Sequence, residues 1–126
     1  VICFDVHPDH IVASAIIEAA RFYAKFVKTD MAGEPHYPAK LYHYWAVHLR
    51  VLEKPSSIVD VTAAIDAKLD ALAAYGSEFA ANEKNAGVLP WVRTQAASWR
   101  ALIGVAAGEP FHAREQIGVR DVRDLL

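Results

Sequence analysis

Four apolar residues, Val1-Ile2-Cys3-Phe4, run straight into a polar string, Asp5-Val6-His7-Pro8-Asp9-His10, and then into a helical pattern. This junction constrains the fold more than any other feature of the sequence. A short continuous apolar run is the pattern of a strand covered on both faces. Val12, Ile16, Ala19, Ala20, Tyr23 and Val27 then recur at helical spacing to about Lys28. A strand that delivers polar residues into a helix N-terminus is one half of a βαβ unit. Such a strand needs neighbours on both sides, and little of the remaining chain can supply them.

Gly33, Pro35 and Pro38 break the chain after the first helix. Lys40 to Val47 is aromatic and reads as a second strand, with Leu41, His43 and Trp45 on one face and Tyr42, Tyr44 and Ala46 on the other. Glu53 to Ser57 reads as a loop and Ile58 to Val61 as a third strand. Thr62 is expected to cap a helix carrying Ile65, Leu69, Leu72 and Ala73, whose end Gly76 and Ser77 weaken. Ala80 to Gly87 is loop-like. Pro90 opens a last helix with Val92, Ala96, Trp99, Leu102 and Ile103 as its stripe, which Gly108 and Pro110 are expected to stop. Phe111 to Val119 reads as a final extended segment and 120–126 as a frayed or docking tail. Alternating strands and helices predict an α/β chain with a Rossmann-like α/β/α layering and a mostly parallel sheet. Three short strands and three helices do not close such a sheet. Residues 1–126 are therefore expected to be the C-terminal part of one larger domain.

Composition narrows the function. A 54% apolar, 22% charged chain is globular, and a net charge of −2 lacks the basic footprint of a nucleic-acid binder. One cysteine, Cys3, gives neither a disulfide framework nor a Cys-rich zinc module; Cys3 itself reads as a small buried hydrophobe. No apolar run has membrane-spanning length and no signal peptide is recognisable, so a cytoplasmic protein is expected.

His7-Pro8-Asp9-His10 carries the chemistry. Two imidazoles and a carboxylate fall within four residues after a strand, where open α/β sheets bind ligands. Pro8 stiffens the loop. His10, at the helix start, can aim a ring nitrogen at a metal. His7 can face the same point without binding it, and Asp9 can fix the tautomer of a neighbouring imidazole. That division suits metal-assisted hydrolysis. The same four residues also read as a turn plus helix cap, with Asp9 as the capping group. A catalytic zinc takes three protein ligands, and this segment offers one or two.

The other histidines read more plainly. His36, in Glu34-Pro35-His36-Tyr37-Pro38, is a weak substrate-binding candidate at a pocket rim or else a surface turn. His43 reads as a packed strand residue, and His48 and His112 as surface groups. Trp91 and Trp99 read as helix-packing residues. No glycine-rich phosphate loop is present.

Asp5 and His7-Pro8-Asp9-His10 before a helix, then Glu34-Pro35-His36-Tyr37-Pro38-Ala39-Lys40-Leu41-Tyr42-His43-Tyr44, resemble the second half of the LmbE/PIG-L-type zinc deacetylases. The bacillithiol-pathway branch, which deacetylates N-acetylglucosaminyl malate, is the most similar. Ile58-Val59-Asp60-Val61, Ile65, Lys68, Ala71-Leu72, Tyr75 and Ser77-Glu78-Phe79 continue the likeness, as do Gly104-Val105-Ala106, Glu109 and Phe111. The resemblance implies zinc-dependent hydrolysis of an N-acetyl group from an N-acetylglucosamine-type small molecule. It implies His10 as zinc ligand, His7 as oxyanion stabiliser or general acid, and Asp9 as its support. The other two ligands and the general base would come from an N-terminal His-Pro-Asp-Asp-type motif that this chain lacks. The partner implied is thus the N-terminal half of the same protein, with homo-oligomerisation left open. Val6 stands where the branch often has Arg, and Ala107 where it often has a site tyrosine. The alternatives are a non-catalytic α/β interaction module pairing through Leu41 to Val47, and a different metallohydrolase.

Overall fold

The structure, a computed structural model, describes residues 2–4, 7–46, 54–79 and 81–125. The chain divides into two compact units: Val1–Ser56 with Phe111–Arg120, and Ser57–Pro110 with Asp121–Leu126.

The first unit holds strand β1 (Ile2–Phe4), helix α1 (Pro8–Tyr23) and strand β2 (His43–Trp45). β1 and β2 pair in parallel, with Ile2 opposite His43, Cys3 opposite Tyr44 and Phe4 opposite Trp45. Parallel strands require a crossover, and α1 supplies it. The βαβ reading of the N-terminal junction therefore holds. β2 is shorter than the aromatic run, yet its alternation is as expected, with His43 buried and Tyr44 exposed. On its other side His43 exchanges backbone hydrogen bonds with His112 (2.7 and 2.8 Å), an antiparallel bridge. His112 is thus half-buried in a backbone pairing, not an ordinary surface group. Ser56 fixes the next residue: its Oγ accepts from the Ala113 N–H at 3.0 Å. α1 stops at Tyr23, short of Lys28, because the Phe26 N–H turns back only three residues to the Tyr23 carbonyl (3.0 Å).

The second unit holds β3 (Ser57–Asp60), α2 (Ile65–Ala73), α3 (Gly76–Phe79), a 3₁₀ turn at Glu83–Asn85, α4 (Val88–Ile103), β4 (Gly108–Phe111, its last residue in the first unit) and a 3₁₀ turn at Val122–Asp124. Ile65, Ala96 and Ala107 form its core, with Val61 and Leu69 packed on them. Thr62 does not cap α2. The cap position is Ala64, with no side-chain bond, and the Thr62 hydroxyl instead accepts from the N–H groups of Ala106 and Ala107 (3.2 Å each). α4 ends at Gly104, whose φ of +74° is the left-handed geometry glycine adopts freely, not at Gly108. Gly108 serves close packing: a Cβ there would lie 2.9 Å from Ile58 Cγ2 and 3.1 Å from Trp99 Cβ.

The expectation of a mostly parallel, Rossmann-like sheet is overturned. The named strands form two separate two-stranded sheets, β1-β2 and β3-β4. In the second, Ser56 N–H reaches Phe111 C=O (2.9 Å) while Val61 N–H reaches Ala107 C=O (3.0 Å), so sequence rises on one strand as it falls on the other. That pair is antiparallel. The segment around Gly108 and Pro110 was expected only to stop a helix; it is the strand that reverses the sheet.

Candidate functional site

α1 begins inside the motif. His7 is its N-cap and Pro8 its first helical residue. Pro there loses nothing, because the first-turn N–H groups have no intrahelical partner. The cap is His7, not Asp9: His7 Nδ1 accepts from the Asp9 backbone N–H at 3.3 Å. An accepting Nδ1 puts the ring proton of the neutral imidazole on Nε2. Asp9, in the first turn, interacts favourably with the positive helix end. Its carboxylate lies 3.9 Å from His7 Nδ1, beyond hydrogen-bond reach. The His7 and His10 rings stand 5.1 Å apart. The sequence-predicted trio is therefore brought together at one helix start. Asp5 and Val6 lie outside the described residues, as does His48.

His36 is not brought to the trio. Its backbone N–H donates to the Ala24 carbonyl (2.8 Å), at the far end of α1. Seventeen residues at 1.5 Å each put that point about 25 Å from His7. Ala107, where the resemblance has a tyrosine, is a buried core residue of the second unit.

A cleft of about 280 Å³ opens at the other half of α1, lined in part by Glu18, Arg21, Tyr37, His43 and Glu115. Glu18 divides its carboxylate: Oε1 lies 3.2 Å from His43 Nε2 and Oε2 accepts from Arg114 at 2.9 Å. Arg21 donates to the carbonyls of Pro38 and Ala39 (2.9 Å each) and to Glu115 Oε1 (3.0 Å), its guanidinium 4.5 Å above the Tyr37 ring. Lys40 reaches Glu115 Oε2 at 3.2 Å. The Arg21 hydrogen bond, with help from Lys40, holds the Glu115 carboxyl below its ordinary range, and Glu115 in turn raises Arg21. Each carboxylate faces cations or a histidine. The arrangement fastens the 37–40 loop and the 114–115 segment to α1. Sequence reasoning missed Glu18, Arg21, Arg114 and Glu115. Arg21 and Glu115 lie 94 residues apart, so no local signal joins them.

Among the described residues no group of three or more His, Cys, Asp or Glu is placed to hold a metal ion. His10 is a donor of the right type, but these residues do not by themselves make a zinc site. Among the described residues no helix is long and apolar enough to cross a membrane.

No family model matches the chain. Its structure is similar to the crystal structure of the conserved protein TT1542 from Thermus thermophilus, with a TM-score of 0.77 and 29% sequence identity. The match covers 94% of this chain and 51% of that one, so the chain spans about half the length of its structural relative.

Proposed function

We propose that the chain is the histidine-bearing portion of a zinc-dependent N-deacetylase acting on an N-acetylglucosamine-type conjugate in the cytoplasm. The observation that carries this reading is the gathering of His7, Asp9 and His10 at the start of α1, directly after β1. His10 supplies one zinc ligand. The remaining ligands and the general base belong to a portion of the protein outside this chain. His7 presents its Nε2–H to the tetrahedral oxyanion formed when the amide carbonyl is attacked. A donor placed where charge develops is typically worth roughly 10² to 10³ in rate.

A cap-only reading competes, because Asp9 is 89% exposed and His7 half exposed. His7→Asn separates the two. Asn is a strong N-cap, so helix stability is kept while the imidazole is lost. In the polypeptide carrying all the ligands, His7→Asn should retain zinc and lower kcat about 10²-fold or more with little change in KM. His10→Ala should lose zinc and turnover together. Full kcat with full zinc in His7→Asn refutes the role given to His7. The 126 residues alone should be inert; chelator-sensitive deacetylation by them would overturn the division of the site.

A further inference from the structure

Residues 111–120 belong to the first unit, although the chain before and after them belongs to the second. Polar bonds fasten this segment, and they go to several elements. His112 exchanges backbone hydrogen bonds with His43 of β2 (2.7 and 2.8 Å). The Ala113 N–H donates to Ser56 Oγ at 3.0 Å, and the Ala113 carbonyl accepts from that hydroxyl at 3.3 Å. Arg114 donates to Glu18 of α1 (2.9 Å), while Glu115 accepts from Arg21 of α1 (3.0 Å) and from Lys40 (3.2 Å). Apolar burial adds little: Ala113 is buried and His112 half-buried, but every residue from Arg114 to Arg120 is exposed. The segment's own members of the ion pairs stand open to water, Arg114 62% and Glu115 46% exposed. Ion pairs of this kind are weak and screened by salt. Segments with few buried apolar contacts open ahead of the rest of a fold.

We propose that residues 112–120 are a salt-sensitive strap, closed along the cleft beside α1 and opening as a unit while β1 and β2 stay paired. Arg114 and Glu115 line the cleft from the strap, Glu18, Arg21 and Phe22 from α1, and His43 from β2. His43 is only 3% exposed, and its backbone is bonded to the strap at His112. Opening withdraws Arg114 and Glu115 from the lining and takes the His112 partners from the His43 N–H and C=O. The imidazole of His43 and the edge of β2 become accessible together. What remains is held by bonds that the strap does not make. β1 and β2 keep their parallel register, and Arg21 keeps the carbonyls of Pro38 and Ala39 (2.9 Å each). Glu18 is eight residues from His10, about 12 Å along α1, so the strap works apart from the motif and does not rest on the deacetylase reading.

Hydrogen exchange of the 126-residue chain, read at single amides by NMR, tests this. Raising NaCl from about 0.1 M to about 1 M shortens the Debye length from about 10 Å to about 3 Å. The amides of His43, His112 and Ala113 should then exchange about fivefold faster or more. Those within β1, and that of Val61, which donates to the Ala107 carbonyl in the second unit, should not speed up. Glu115→Gln at the lower salt should accelerate the same three amides, and added salt should then change them less than in the wild type. Carbethoxylation of His43 by diethyl pyrocarbonate, mapped by mass spectrometry, should rise in parallel, with exposed His36 as the internal control. If His112 and Ala113 open with the same free energy and salt response as β1, the segment has no opening of its own and the proposal falls. It falls equally if labelling of His43 relative to His36 ignores salt. The wild-type salt series uses no variant, so a Glu115→Gln chain that failed to fold would leave the test intact.

Discussion

Gly108→Ala tests how tightly the second unit is built. The added methyl would meet Ile58 Cγ2 at 2.9 Å, Trp99 Cβ at 3.1 Å and the Trp99 carbonyl carbon at 3.3 Å. Comfortable carbon–carbon contacts are about 3.5 to 4.0 Å, so the overlap is several tenths of an ångström on two sides. Neither neighbour is the far end of a flexible chain. Ile58 Cγ2 branches directly from Cβ, and two of the Trp99 atoms sit at the base of that residue in α4. Relief requires an off-rotamer isoleucine or a shift of β4 away from α4. Overpacking of this kind costs roughly 1–3 kcal/mol. Loss of glycine's freedom in the unfolded chain returns about 0.4–1 kcal/mol. The net is a loss of about 1–2 kcal/mol, or roughly 3–8 °C of melting temperature for a chain of this size. Gly118→Ala is the matched control, because nothing lies within 4 Å of its added Cβ. Its melting temperature should be unchanged or slightly raised. Thermal melts followed by circular dichroism decide. If the two variants melt together, the close approach of β4 to α4 and β3 is wrong.

Glu115 has its folded pKa held below the ordinary value, so its contribution to stability is present above that value and is lost as pH falls through the lower, folded one. Glu115→Gln should therefore flatten the acid side of the stability curve below about pH 4.5, measured by melts from about pH 3 to 7. Thr62→Val removes the acceptor for the Ala106 and Ala107 N–H groups and should cost about 1–2 kcal/mol in urea titration, while Thr62→Ser should keep most of it. Arg93→Ala breaks a pair with Asp66 in which both side chains are more than half exposed, and should change stability by no more than about 0.5 kcal/mol.

What the sequence made legible were features set by neighbours in the chain. The β1-to-α1 junction, the parallel return through β2 and the alternation of His43 and Tyr44 follow from periodicity over a few residues. Sheet direction in the second unit does not, because it depends on which distant segment pairs with β3. Gly108-Glu109-Pro110-Phe111 has the composition of a helix stop, and Pro110 argues against a strand unless its position needs no N–H. Thr62 shows the same limit in one side chain. A threonine hydroxyl accepts an N–H from its own helix start or from a loop 44 residues away with equal chemistry. The motif was legible as a cluster, yet which residue capped the helix was not, since imidazole nitrogen and carboxylate oxygen are both acceptors at a helix start.

The case of α1 differs in kind. The spacing of Val12, Ile16, Ala19 and Tyr23 identifies a helix, and the structure has one. Periodicity reports that a face is made for burial; it carries no information about what buries it. Here the side that meets its own unit was chosen by charge. Glu18 and Arg21 find His43, Arg114, Glu115 and two loop carbonyls, and these bonds point the polar side inward. Given those bonds, the apolar stripe on the opposite side stays exposed, with Val12 57% exposed, Ile16 62% and Tyr23 55%. A helix that needed only solubility would carry polar residues there. His10 falls about 150° round the helix from the centre of that stripe, on the side of Ser14 and Glu18, so the motif and the stripe face different ways.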